Sequence, residues 1–190
     1  MITPPAHLLT GLHLVRVCDP DTIIVAGPEC GRLQPPVRLA WLDGPERGRP
    51  GFHAATRFLH LCCTDKSLSL TPRWHQGSCT DRWGRIVANV YAAGKDVTRL
   101  MIKAGWGTYW QLQGPAPTHE TYIRTQAFAC AQQLGLWNPH VANADPLPPD
   151  ADTPRPQLAC ANCGEPVPFV PYDCPGCNQT LDRKDTNLAD

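Results

Sequence analysis

Apolar positions in the first part of the chain recur with the period of two that marks half-buried strands. His13–Cys18 and Thr22–Ala26 read as two such strands, joined by the acidic turn Cys18-Asp19-Pro20-Asp21-Thr22. A Gly- and Pro-rich loop, 27–36, leads to Val37–Leu42, where Val37, Leu39 and Trp41 share one face and Arg38, Ala40 and Leu42 the other. That alternation carries Arg38 away from the main core face. Gly44-Pro45 then turns the chain and leaves Asp43 and Glu46 on either side of the bend.

Further on the period changes. Pro50–Cys63 reads as a helix with Phe52, Ala55, Leu59 and Cys62 on one stripe and Pro50 in its first turn. Ser67–Thr71 is a short strand and Gly84–Ala92 a longer one, closed by the turn Ala93-Gly94-Lys95. Asp96 can cap a helix whose face is Val97, Leu100, Met101 and Ala104, with Gly105 as its stop. Thr118 can cap a last helix that presents Ile123, Ala127, Cys130 and Leu134 on one side and ends at Gly135. Five short strands with about three helices between and after them predict an α+β, mainly β, chain: a Greek-key barrel of the OB type. Its expected extent is 8–138. A Pro-rich linker, 139–158, a small metal ribbon, 159–182, and a disordered tail, 183–190, follow.

Composition alters this picture in two places. The 190 residues, 42% of them hydrophobic, suffice for one medium domain plus something small. No apolar run is long enough to cross a bilayer, and the first residues lack the basic and apolar segments of a signal peptide, so the chain reads as cytoplasmic. The net charge of zero conceals a split. Residues 1–144 hold 14 Lys and Arg against 9 Asp and Glu, a balance of +5, and residues 145–190 hold 3 against 8, a balance of −5. A basic body suits a polyanionic partner such as DNA or RNA.

The ten cysteines change the picture again. Without an export signal, reduced thiols are the expected state. Cys160, Cys163, Cys174 and Cys177 form two C-x2-C knuckles, a pattern that suits a closed tetrahedral Zn2+ site. A redox pair, two disulfides or a rubredoxin-type iron centre are the rival readings. Four protein ligands leave no open position, so the zinc is expected to be structural, and it must supply most of the ribbon's folding energy. A protein or nucleic-acid partner for the ribbon is expected. His53, His60 and His75 lie near cysteines in sequence but match no metal template, and read as ordinary residues.

Candidate chemistry gathers in three fragments: the acidic turn, the segment from Arg38 to Glu46, and Thr80-Asp81-Arg82-Trp83-Gly84-Arg85. Asp21, Arg38, Asp43, Glu46 and Arg85 together resemble equipment for phosphodiester hydrolysis. Carboxylate oxygens hold a hard cation such as Ca2+. Two guanidiniums neutralise a phosphate in its five-coordinate transition state, and a free carboxylate orients or deprotonates water. Separately, each piece has an ordinary explanation as a turn, a bend or a surface ion pair.

The same fragments, in the same order, resemble the staphylococcal nuclease family from about Leu12 to Trp137. They are Asp19-Pro-Asp21-Thr22, Arg38-Leu-Ala-Trp-Leu-Asp43-Gly-Pro-Glu46, Asp81-Arg-Trp-Gly84-Arg85 and Leu134-Gly-Leu-Trp137. The resemblance implies that Asp21, Asp43 and the Gly44 carbonyl ligate Ca2+, and that Glu46 acts on the water. It implies that Arg38 and Arg85 grip the scissile phosphate, with Asp19 and Thr22 in support and Arg82 and Trp83 toward the nucleotide. It also implies cleavage of DNA and RNA that leaves 3′-phosphate ends, by a chain expected to be a monomer. Pro20 stands where the family commonly has glycine, and Gly44 where threonine or alanine is common. The family's tyrosine pair before the last helix has no clear counterpart: Tyr109 and Trp110 lie near, and Gln111 and Gln113 fall closer to the expected positions. A binding module on the same barrel, without catalysis, is the alternative reading.

Overall fold

The computed structural model describes residues 8–28, 34–74, 78–111 and 119–142, and beyond these five short strands within 158–188. Strands β1 (Leu9–Asp19) and β2 (Thr22–Ala26) form an antiparallel hairpin around the acidic turn. Strand β3 (Pro36–Leu39) pairs antiparallel with β2, placing Arg38 opposite Thr22. After β4 (Leu42–Asp43) comes helix α1 (Phe52–Cys63). Strands β5 (Leu68–Pro72) and β6 (Ile86–Ala92) are antiparallel to each other, and β5 also pairs with β1. The parallel pairing of β3 with β6 joins the ends, so β3-β2-β1-β5-β6 closes into a five-stranded barrel. Closure removes the exposed strand edges that an open sheet of this size would present.

Short elements complete the body. Strand β7 (Lys95–Asp96) folds back on β6, and helix α2 (Val97–Lys103) starts at an Asp96 cap whose carboxylate accepts from the Arg99 N–H at 3.1 Å. Strand β8 (Thr108–Tyr109) pairs with β4. Helix α3 (His119–Ala131), a 3-10 turn at Gly135–Trp137 and helix α4 (Pro139–Ala142) follow. The described helices thus number four, where the sequence suggested about three. Strands β9 (Leu158–Cys160), β10 (Pro166–Val167) and β13 (Thr186–Leu188) form one small antiparallel sheet, and β11 (Tyr172–Asp173) with β12 (Thr180–Leu181) another. The thiols of Cys160, Cys163, Cys174 and Cys177, and with them the proposed zinc site, lie outside the described residues.

The core fills the barrel and the space beneath α1 and α2. Leu12, Ile23, Val37, Leu39, Leu59, Leu68, Leu70, Val90, Met101 and Ile102 are all fully buried in it. The expected stripe of α1 is buried as read, with Cys63 added. Pro50 precedes the helix, in the turn before its Gly51 cap.

Two expectations are corrected. Val37–Leu42 is not one alternating strand: the run breaks at Ala40 and Trp41, and Trp41 takes a left-handed φ of 65°. Every residue from Pro36 to Leu42 is buried, because the segment runs between the barrel interior and the elements packed outside it. Arg38 is therefore buried as well, with only 9% of its surface exposed. The face of α3 is also different. It buries Tyr122, Thr125 and Ala129, while Ile123, Phe128, Cys130 and Leu134 are exposed. Polar anchors decide the rotation: the Tyr122 hydroxyl donates to Asp96 at 2.7 Å, and the Gln126 side-chain carbonyl accepts from the Tyr109 N–H at 2.7 Å.

Candidate active site

The acidic turn is fastened to β3 by its backbone. The Leu39 N–H donates to the Asp21 carbonyl at 2.8 Å. Asp19 and Thr22 face each other across the hairpin, so Asp21 lies at the tip beside β3. Its carboxylate accepts from the Thr22 hydroxyl at 2.8 Å and is in direct ionic contact with Nη1 of Arg38. Burial raises the Asp21 pKa; Arg38, the Thr22 hydroxyl and Arg85 oppose that rise, and Asp19 adds to it. Nη2 of Arg38 lies 3.9 Å from Asp43 on β4, whose side chain is half exposed. One guanidinium therefore stands between the two carboxylates.

Arg85 reaches the same place from the other side of the barrel seam. The turn before β6 is wound on Asp81, which accepts the N–H groups of Trp83 and Arg85 on one oxygen, each at 3.0 Å. Its other oxygen takes Nε of Arg85 at 2.7 Å. That fixes the guanidinium, and its Nη1 donates to the Thr22 hydroxyl at 3.1 Å. A continuous chain results: Arg38 to Asp21, Asp21 to Thr22, Thr22 to Arg85.

Both arginines open into one cleft, with Leu39, Ala40, Trp41 and Val87 on its apolar side and Asp81, Trp83 and Trp110 at its rim. Trp83 and Trp110 are 58% and 42% exposed. The Trp83 ring carries Arg82 at 4.0 Å and Arg85 at 4.8 Å from its centroid, and the Trp110 ring carries Arg38 at 5.7 Å. Trp41 is a core residue, as read, with its indole N–H on Asn89 at 3.1 Å and Arg73 across its face at 4.3 Å.

Glu46 stands apart from this constellation. It is exposed on the loop after β4, and its carbonyl accepts from the Arg49 N–H at 3.0 Å. It does not line the cleft. Gly44 is held against the acidic turn: a Cβ there would lie 2.6 Å from Cβ of Pro20. Sequence reasoning placed Trp110 near the family's tyrosine pair but gave it no role in the site, because β8, which precedes it, is two residues long and leaves no periodic signal. It also gave Asp81 no role, although an Asp two residues before a turn Trp is a recognisable side-chain acceptor.

Among the described residues, no group of three or more His, Cys, Asp or Glu side chains is arranged to hold a metal ion. Asp21 and Asp43 are hard oxygen donors of the kind a divalent cation takes, and in this structure both carboxylates contact the Arg38 guanidinium. None of the helices in the described residues is long and apolar enough to cross a membrane.

A closed five-stranded barrel carrying a two-arginine cleft, lined by Asp81 and backed by the Asp21 and Asp43 carboxylates that contact Arg38, defines an OB-like fold. Residues 36–139 match the family described as staphylococcal nuclease homologue, and with more than half its length matched the chain belongs to that family. The matched span includes Arg38, Asp43, Glu46 and Arg85; the turn bearing Asp19 and Asp21 precedes it. Membership suggests a nuclease, a hydrolase acting on nucleic acid.

Proposed function

We propose that the barrel is a calcium-dependent nuclease that hydrolyses phosphodiester bonds of DNA or RNA, cutting within the strand and leaving 3′-phosphate ends. The observation that carries this is the convergence of Arg38 and Arg85 on one cleft, joined through Asp21 and Thr22. Two guanidiniums on one phosphate offset the charge that grows on its equatorial oxygens. The cleft's apolar lining lowers the local dielectric and strengthens that effect.

Asp21, Asp43 and the Gly44 carbonyl would hold Ca2+, which would polarise the phosphate. By the family resemblance Glu46, which lies outside the cleft lining here, would take a proton from the attacking water, whose oxygen bonds to phosphorus as the bond to the 5′ oxygen breaks. The 5′ oxygen leaves and takes a proton from solvent water, and Glu46 returns its proton to solvent. Asp19 adds negative charge beside Asp21, and Thr22 holds Asp21 and Arg85 in register. Trp83, with Arg82 over its ring, and Trp110 offer faces on which bases stack. In the C-terminal region Cys160, Cys163, Cys174 and Cys177 bind a structural Zn2+, and the ribbon so formed recruits a protein or nucleic-acid partner.

A second reading, binding without cleavage, draws on two observations: Arg38 already occupies Asp21, and Glu46 lies outside the cleft lining. Digestion of single- and double-stranded DNA and RNA, with calcium and then with chelator, separates the two readings. The nuclease reading expects calcium-dependent cleavage with 3′-phosphate ends, slowed by orders of magnitude in Glu46→Gln. Tight binding with no cleavage of any substrate supports the second reading and rejects the first.

A further inference from the structure

The face that α3 leaves exposed contributes to a second basic surface, separate from the cleft. A groove between α2 and α3 is lined by Arg99, Lys103, Thr121, Arg124, Thr125 and Phe128, none of which lines the cleft. Arg99 and Lys103 are one helical turn apart on α2 and both exposed. Like charges at that spacing repel, so the pair costs the isolated helix a little stability and favours an anion between them. Arg124 reaches the groove from α3 and is shared with Glu120 at 2.9 Å, in a pair that is about four-fifths exposed on both sides. A fully solvated pair of this kind holds its arginine weakly. Asp96, at the start of α2, is already engaged by the Arg99 N–H and the Tyr122 hydroxyl. Phe128 stands 48% exposed at the same groove, an aromatic ring turned to solvent beside three cations.

We propose that this groove is a second nucleic-acid site, which binds the sugar-phosphate backbone of a single strand and stacks a base on Phe128. The inference rests on the nucleic-acid reading of the domain and extends it: the substrate is a strand long enough to occupy both cleft and groove. Cations supply the sequence-independent, salt-sensitive part of such binding, and an exposed ring accepts any base. Affinity should therefore depend on strand length, while chemistry at the cleft does not depend on the groove.

The test uses the full chain with a fluorescent single-stranded 20-mer in chelator, so that binding is read without cleavage, and turnover of a dinucleotide in calcium. A dinucleotide presents one phosphodiester, and when the cleft holds it the groove is left empty. Arg99→Glu with Lys103→Gln should weaken 20-mer binding roughly 10-fold at low salt and reduce the slope of log Kd against log salt by about one per cation removed. Phe128→Ala should weaken it about 5-fold or more without changing the slope. Dinucleotide turnover should stay at the native rate in both variants. A 20-mer Kd and salt slope equal to the native values in the Arg99/Lys103 variant would overturn the proposal. So would tighter binding, the result expected if the acidic stretch after residue 144 occupied the groove. A native chain that cleaves neither the dinucleotide nor the 20-mer in calcium, yet binds with a salt slope that the Arg99/Lys103 variant lowers, would reject the nuclease reading and leave the groove standing.

Discussion

Pro20 occupies the space that a side chain at Gly44 would need. A Cβ built on Gly44 meets Cβ of Pro20 at 2.6 Å, well inside any tolerable contact, and the Gly44 backbone does not adopt a left-handed φ. Contact alone, not backbone strain, therefore excludes a side chain there. The acidic turn and the turn after Asp43 are packed against each other through this pair, and each bears one of the carboxylates beside Arg38. The two departures from the family pattern seen in the sequence are thus one feature in space. Gly44→Ala should destabilise the fold by about 1–3 kcal/mol, the usual cost of overpacking. Pro20→Gly combined with Gly44→Ala should recover most of that loss, measured by denaturant unfolding as a double-mutant cycle. Additive effects would mean that the two turns do not press on each other.

Thr22 couples the two halves of the cleft, because its hydroxyl donates to Asp21 and accepts from Arg85. Thr22→Val keeps the shape and the strand propensity but removes both bonds. The expected result is a fall in kcat of about 10-fold with a stability loss of roughly 1–3 kcal/mol, since each of the two lost hydrogen bonds contributes about 1 kcal/mol. A native kcat in Thr22→Val would show that Arg85 is positioned by Asp81 alone.

Alkaline pH should unfold the domain early. Burial pushes the Cys63 thiol from 9.0 up to about 12, with help from neighbouring Cys62 and against the pull of Lys66. Burial raises the Cys62 thiol as well. The folded chain thus holds these protons more tightly than the unfolded chain does. Their contribution to stability is complete below the unfolded thiol pKa and is lost as pH rises from there toward the folded value. Thermal unfolding followed from neutral pH upward should show the Tm falling above pH 9, and Cys63→Ala, with a lower starting Tm, should fall less steeply. Parallel pH profiles for the two chains would contradict the assignment.

If the four C-terminal thiols bind zinc, the purified chain should contain about one Zn2+ per molecule, and Cys160→Ser should lose it. The barrel should keep its Tm in that variant, because its core is built from residues before 130. A native zinc content in Cys160→Ser would exclude the four-thiolate site.

Much of the fold was legible because the barrel obeys simple periods. The α1 stripe, the β1–β2 hairpin and the Asp96 cap follow from local residue order. Asp21, Arg38 and Arg85 were legible as candidates because charged residues beside turns and strands invite explanation. Three features were not legible. Trp41 takes a positive φ with no glycine or asparagine to signal it, so the alternating pattern reads straight through the break. The face of α3 is set by Tyr122 on Asp96 and Gln126 on Tyr109, long-range polar contacts that outweigh the apolar residues at helical spacing. The position of Trp110 over Arg38 depends on the short β4–β8 pairing, which no local pattern encodes.

The central claim is that Arg38 and Arg85 act together on one phosphate. Its most direct test is kcat/KM for cleavage of a single-stranded oligonucleotide in calcium by Arg38→Lys, Arg85→Lys and the double variant. Lysine keeps the charge but loses the guanidinium fork. Each single change should lower kcat/KM on the order of 100-fold, and the double change should cost far less than the product of the two, as expected for groups that serve one transition state. Native turnover in either single variant, or strictly multiplicative losses in the double, would contradict the account.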